Sequence, residues 1–147
     1  MIFWIDEDES YNYPSELLLR KSGYTVQSVR NATDALPLIL SEIDRNMDFA
    51  IVDVMLARGS DHGIFSDFAT ENGLTTGLVL VRELVRRHPS ADWRRKLVIH
   101  SRASRNEIVA KIEVAARETG VYYLPKKADF KARNFVTWLR EMDFIKT

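Results

Sequence analysis

Residues 48–60 read DFAIVDVMLARGS, and this run decides the fold. Phe49 to Val52 are apolar without alternation, and the run is too short to be a buried helix. Such a segment is a strand covered on both faces, the mark of a parallel sheet. One acid, Asp53, interrupts the run near its end, and Val54 to Leu56 are apolar again. The acid in that place and the stretch that follows need a reason.

Outward from this strand, the same alternation repeats. IFWID reads as a buried strand over 2–6, and PSELLLRKSG as a helix with Pro14 in its first turn, Leu17 and Leu18 on its apolar face and Gly23 just past its end. YTVQSVR alternates and is β-branched, giving a second strand over 24–30. NATDALPLILSEIDR is a helix capped by Asn31 or Thr33, with Pro37 tolerable only near its start. After the third strand, LTTGLVLVRELVRRH sets Leu78, Val81, Leu84 and Val85 on one face and stops at Pro89. KLVIHS is the fourth strand. SRNEIVAKIEVAARETG opens on a capping box, Ser104 and Glu107, places Ile108, Ile112 and Ala115 at helical spacing, and ends at Gly120. VYYLP is the fifth strand and DFKARNFVTWLREM the last helix. The order is (βα)5, which predicts an α/β fold with helices on both faces of a parallel sheet.

Composition narrows the function. The 147 residues suit one domain, 1–147, and no internal repeat or linker divides them. Lysine plus arginine equals aspartate plus glutamate at 21 each, so net charge points to neither nucleic acid nor an anionic membrane as partner. There is no cysteine, which removes disulfides, thiolate metal sites and a cysteine nucleophile, and fits a reducing cytoplasm. No apolar stretch approaches the ~20 residues a membrane helix needs. The N-terminus reaches acids at position 6 and does not read as a signal peptide.

In an open parallel sheet, ligands bind beyond the carboxyl ends of the strands. Strand one ends in Asp6-Glu7-Asp8, strand three near Asp53, strand four in Ser101 and strand five near Lys126. Clustered carboxylates repel unless a cation joins them, and an all-oxygen donor set suits Mg²⁺. A metal, a lysine and a hydroxyl donor together fit a phosphoryl group, and a carboxylate beside them can act as nucleophile.

These segments resemble the receiver domain of two-component response regulators. IFWIDED is similar to its first strand and acidic pair, Asp6 and Glu7; FAIVDVML to the strand with the phosphoacceptor, Asp53; VIHSRA to the segment with the Ser/Thr, Ser101; and GVYYLPKKA to that with the lysine, Lys126, and the switch aromatic, Tyr123. TGLVLVRELVRRHP resembles the third helix. The resemblance implies a flavodoxin-like sheet in the order 2-1-3-4-5. It implies that Asp53 takes a phosphoryl group from a histidine kinase or phosphotransfer protein. Mg²⁺ would be held by Asp6 or Glu7, Asp53 and the Met55 carbonyl, with Ser101 and Lys126 on the phosphoryl oxygens. Ser101 and Tyr123 would then remodel the surface of helix four, strand five and helix five toward a downstream partner or a second copy, a local charge event biasing a two-state element. It also implies a cytoplasmic signalling module rather than an enzyme.

The sequence departs from that pattern in three places. Lys127 stands where the family has proline after the lysine, so a trans bond is expected there, and Lys127 competes with Lys126 for the role. Arg102 replaces a small residue after Ser101, where it could attract phosphoryl donors or cover the site, and Met55 replaces a polar residue. Both are expected to hinder the water that hydrolyses an acyl phosphate. The third departure is length. If Gly77 is the family's glycine after the phosphoacceptor, the separation is 24 residues (77 − 53). Residues 57–73 are then an insertion, beyond the ~12–15 residues of ordinary structureless loops. It is expected to be solvated and mobile, with Asp61, His62, Asp67 and Glu71 as candidates for partner or metal contact in a second reading as a lid.

Two other functions compete. One is a receiver-shaped binding module that works without phosphorylation. The other is a haloacid-dehalogenase-like phosphatase, with WIDEDES supplying Asp6 as nucleophile and Asp8 as acid/base, but only Asp129 is available for its late acidic motif.

Overall fold

The computed structural model of the chain describes residues 1–103, 105–127 and 131–146. Five strands alternate with five helices: β1 (Ile2–Ile5), α1 (Glu9–Lys21), β2 (Val26–Val29), α2 (Ala32–Glu42), β3 (Phe49–Val52), α3 (Thr76–Arg87), β4 (Leu97–Ser101), α4 (Asn106–Thr119), β5 (Tyr122–Pro125) and α5 (Ala132–Glu141), with one 3₁₀ turn at Trp93–Arg95. The sheet is parallel throughout, in the order β2-β1-β3-β4-β5. This is the predicted flavodoxin-like order.

Alternate residues of each strand feed two apolar layers. Phe3, Ile5, Ala50, Val52, Leu97 and Ile99 pack under α2, α3 and α4. Ile2, Trp4, Phe49, Ile51 and Val98 face α1 and α5 with Leu19, Phe135 and Leu139. Both strand faces are buried, which is why the central strands carry no polar alternation.

Register then fixes the carboxyl edge. Ile5 lies opposite Val52, so Asp6 and Asp53 leave neighbouring strands side by side. Ser101 lies opposite Pro125, which sets Lys126 one residue further along the same edge. Ladder bonds continue past the strand ends: Asp6 N–H donates to Val29 O (3.0 Å), Asp53 N–H to Ile5 O (2.9 Å) and Lys126 N–H to Ser101 O (2.8 Å). The polar residues therefore stand on rigid backbone.

Several local expectations are corrected. Helix α1 begins at Glu9, capped by the Asp8 side chain, so Pro14 lies inside it rather than in the first turn. Pro37 likewise lies inside α2, whose cap is Asn31 accepting from Asp34 N–H. Both helices run through their prolines because tertiary packing outweighs local propensity. Leu17 of α1 is exposed, and the buried stripe is Asn12, Ser15 and Leu19. The cap of α4 is Arg105, without a side-chain cap bond; Ser104, the expected cap, lies outside the described residues, as does Asp129.

The 57–73 segment has no regular helix or strand, as expected, but it is not free in solvent. Asn31 and Ala57 form a parallel bridge, Ala32 and Thr33 N–H donate to Ala57 and Arg58 O (2.9 and 3.0 Å), and Asp61 N–H donates to Thr33 Oγ1 (2.9 Å). Phe65 and Thr70 are fully buried. A side chain at Gly59 would meet Asn31 Oδ1 at 2.5 Å, and its φ of +81° also demands glycine. Helix α3 then starts against the site: a Cβ on Gly77 would fall 2.0 Å from Asp53 O.

Candidate functional site

Asp6, Asp53, Ser101 and Lys126 meet at the carboxyl edge. Lys126 Nζ donates to Asp6 Oδ2 at 2.6 Å and lies 3.9 Å from Asp53 Oδ2. The Lys126 and Asp6 side chains are 3% and 1% exposed, and Asp53 is 13% exposed. A buried ammonium between two carboxylates offsets a charge density that burial would otherwise make costly. Asp6 Oδ1 also accepts from Asp8 N–H (2.9 Å), which fixes the carboxylate at the turn into α1.

Burial pushes the Asp53 carboxyl above its ordinary range; Lys126 pulls it back down, while the Asp6 carboxylate adds to the rise and the Ser101 hydroxyl opposes it. Ser101 Oγ is buried and has no partner of normal hydrogen-bond geometry. That hydroxyl lies beside the Asp53 carboxyl that it stabilises, without a well-formed hydrogen bond.

The structure separates the remaining predicted residues. Glu7 is exposed and joins no group of three acids; among the described residues no cluster of three potential metal ligands occurs. Lys127 is exposed while Lys126 is buried, so the two lysines are not interchangeable. No peptide bond among the described residues is cis, and the bond after Lys126 is trans. Met55 is 47% exposed beside the site. Tyr123 is half-buried on β5, its hydroxyl pKa raised by burial and by the charge of Glu113. Asp8, the acid/base of the phosphatase reading, is occupied as the cap of α1.

The acids of the insertion are also engaged. Asp61 accepts from Gly63 and Ile64 N–H, Asp67 pairs with Arg58, and Glu71 pairs with Lys111 of α4. These contacts tie the insertion down and leave it no convergent donor set. His62 is exposed.

Tyr11 is the site residue that sequence reasoning missed. Its ring lies 4.7 Å from Lys126 Nζ and 4.7 Å from the Arg102 guanidinium carbon. With Pro14 expected to open the helix, Tyr11 stood in a turn with no assigned direction. Capping by Asp8 starts α1 earlier and turns Tyr11 toward the site. Beneath it, the buried His100 donates from Nδ1 to Leu124 O (2.6 Å) and stacks on Phe135. A groove of about 490 Å³ between α3 and α4, lined by Leu78, Val79, Ala110 and Val114, shares no residue with this edge.

In sequence, no family model matches the chain and no curated protein does. In structure it is similar to the non-phosphorylated receiver domain of HemR from Leptospira biflexa, at TM-score 0.66 and 16% identity over 99% of this chain and 95% of that one. The fold is that of response-regulator receiver domains. The receiver domain of NtrX from Brucella abortus aligns at TM-score 0.62 and 23% identity over 97% and 98% of the two chains. A response regulator from Burkholderia pseudomallei, holding a phosphorylated aspartic acid, a calcium ion and citrate, aligns at 0.59 and 22% over 92% of this chain and 64% of that one. At these identities the receiver fold is what is shared. Among the described residues no helix is long and apolar enough to cross a membrane.

Proposed function

We propose that the chain is a phosphorylatable receiver in a phosphorelay, with Asp53 as the phosphoacceptor. One observation carries the reading: at the edge where ligands bind in this fold, Asp53 stands beside a buried lysine, a second carboxylate and a buried serine hydroxyl. A carboxylate oxygen of Asp53 attacks the phosphorus of a phosphohistidine. The P–N bond breaks, and the ring, protonated on its other nitrogen, leaves as neutral imidazole with the bonding pair. Lys126 offsets charge on the phosphoryl oxygens, and Ser101 donates its hydroxyl to one of them.

Mg²⁺ fits this donor set, because Asp6 and Asp53 are adjacent carboxylates that a divalent cation relieves; the Met55 carbonyl and Glu7 would be the further oxygen donors. When bound, Mg²⁺ would neutralise charge that gathers on the phosphoryl oxygens. The output is a change at Ser101 and Tyr123 that alters the α4-β5-α5 surface for a downstream protein or a second copy.

The experiment is incubation with acetyl phosphate and Mg²⁺, read by intact mass, for wild type and Asp53→Asn. One phosphoryl group on the wild type and none on the variant is expected. No incorporation into the wild type refutes the reading and leaves a binding module that works without phosphorylation. Turnover of small phosphoesters that is lost in Asp6→Asn but kept in Asp53→Asn would instead make the chain a phosphatase.

A further inference from the structure

The rim of the site holds a cation that the four converging residues leave unused. Arg102 follows Ser101 at the end of β4 and is exposed. Among the described residues its guanidinium has no carboxylate partner; it rests over the Tyr11 ring at 4.7 Å. The same ring holds Lys126 Nζ at 4.7 Å. The Arg102 stem also lines a small cavity of about 140 Å³ with Met55, Leu74 and Ile108. One side chain thus reaches from Met55, two residues past Asp53, to the aromatic ring that touches Lys126.

We propose that Arg102 is the residue that captures the phosphodonor, pairing with its anionic phosphoryl group at the mouth of the site, and that Tyr11 is the positioning residue that presents it. The inference rests on Asp53 being the phosphoacceptor. The charge pattern asks for such a residue. Lys126 is already committed to Asp6 at 2.6 Å, so an incoming anion meets two carboxylates whose shared cation is engaged. A guanidinium matches a phosphoryl group with two parallel donors, a far stronger pairing than an exposed contact with a ring face. Arg102 therefore leaves the ring when the donor arrives, and the ring limits its search beforehand. Transfer is balanced without a co-reactant. Asp53 Oδ bonds to phosphorus, the P–O bond to the acetyl group breaks, and acetate leaves with the electron pair.

The test measures initial rates of phosphoryl incorporation against acetyl phosphate concentration, with Mg²⁺ saturating, at low and raised KCl. Arg102→Gln should raise the half-saturating concentration roughly tenfold while the maximal rate stays within about twofold, as expected when one charge-assisted bidentate pairing to the bound donor is lost. Its rate should also depend less on salt, because a rim cation steers an anionic donor. Arg102→Lys should recover part of the loss. Tyr11→Leu, which removes the ring face, should raise half-saturation without lowering the maximal rate. An unchanged half-saturation and salt dependence in Arg102→Gln, with normal wild-type incorporation, overturns the inference alone. So does a fall confined to the maximal rate. A wild type that takes up no phosphoryl group overturns the phosphoacceptor reading, and the donor role of Arg102 with it.

Discussion

Lys126→Met is the perturbation that most directly probes the site's electrostatics. Methionine keeps much of the stem volume and removes the ammonium. It strands the Asp6 carboxylate, whose side chain is 1% exposed and loses a 2.6 Å bond, and it removes the cation 3.9 Å from Asp53. Removing one partner of a buried pair costs about 3–5 kcal/mol, because the other charge stays buried without compensation. Loss of the contact with the Tyr11 ring adds about 1–2 kcal/mol, because the ammonium is desolvated. Lys126 is also the main influence holding the Asp53 carboxyl down. Without it, Asp53 rises further above its unfolded value. A carboxyl raised in the folded state favours the fold below the unfolded pKa and loses that contribution as pH rises through the folded one. The Asp53 part of the penalty should therefore grow as pH rises and shrink on acidification. Urea unfolding at neutral pH should show the full loss with an unchanged m-value. In an Asp6→Asn background the same substitution should cost about 2 kcal/mol less, since no carboxylate is stranded there. If the two substitutions are additive to within about 0.5 kcal/mol, the ion pair does not carry the energy assigned to it and the reasoning fails.

Three further predictions follow from the packing. Gly77→Ala places a Cβ 2.0 Å from Asp53 O and 2.8 Å from Val54 Cα; backbone on that side cannot yield cheaply, so stability should fall by about 2 kcal/mol or more, and phosphoryl uptake at Asp53 should fall with it. Wild-type stability in that variant would disprove the close approach of α3 to the site. Phe65→Ala should cost about 3–4 kcal/mol in chemical denaturation, because this residue anchors the insertion in the core; a loss under about 1 kcal/mol would mean that the segment is independent of it. Burial lowers the His100 pKa to about 4, so the fold keeps it neutral. Its contribution is present above the unfolded value and is lost as pH falls toward the folded one. Between about pH 7 and about pH 4.5, wild type should lose about 2.5 kcal/mol more than His100→Gln, measured by urea unfolding at each pH; equal losses would refute the assignment.

Much of this was written along the chain. Strands buried on both faces must read as unbroken apolar runs, so Phe49–Val52 and Leu97–Ile99 announced a parallel sheet, and the polar residues ending those runs, Asp53 and Ser101, marked its carboxyl edge, where ligands bind in open parallel sheets. Pairing register is what makes that local signal spatial, since Ile5 opposite Val52 and Ser101 opposite Pro125 bring Asp6, Asp53, Ser101 and Lys126 together from distant parts of the chain. Other features depend on contacts between segments that no local pattern encodes. Pro14 and Pro37 sit inside helices because capping and packing override the proline penalty. Residues 57–73 lack periodicity, so their hold on the core through Phe65 and on α2 through Ala57 and Arg58 was invisible until the elements met. Burial separates Lys126 from the exposed Lys127, and the earlier start of α1 sets Tyr11 between two cations. Sequence determined which chemistry stands at the strand ends, because that is set by residue type and strand order. Only the tertiary structure decided which charge is buried against which, because desolvation and distance are properties of the packed chain.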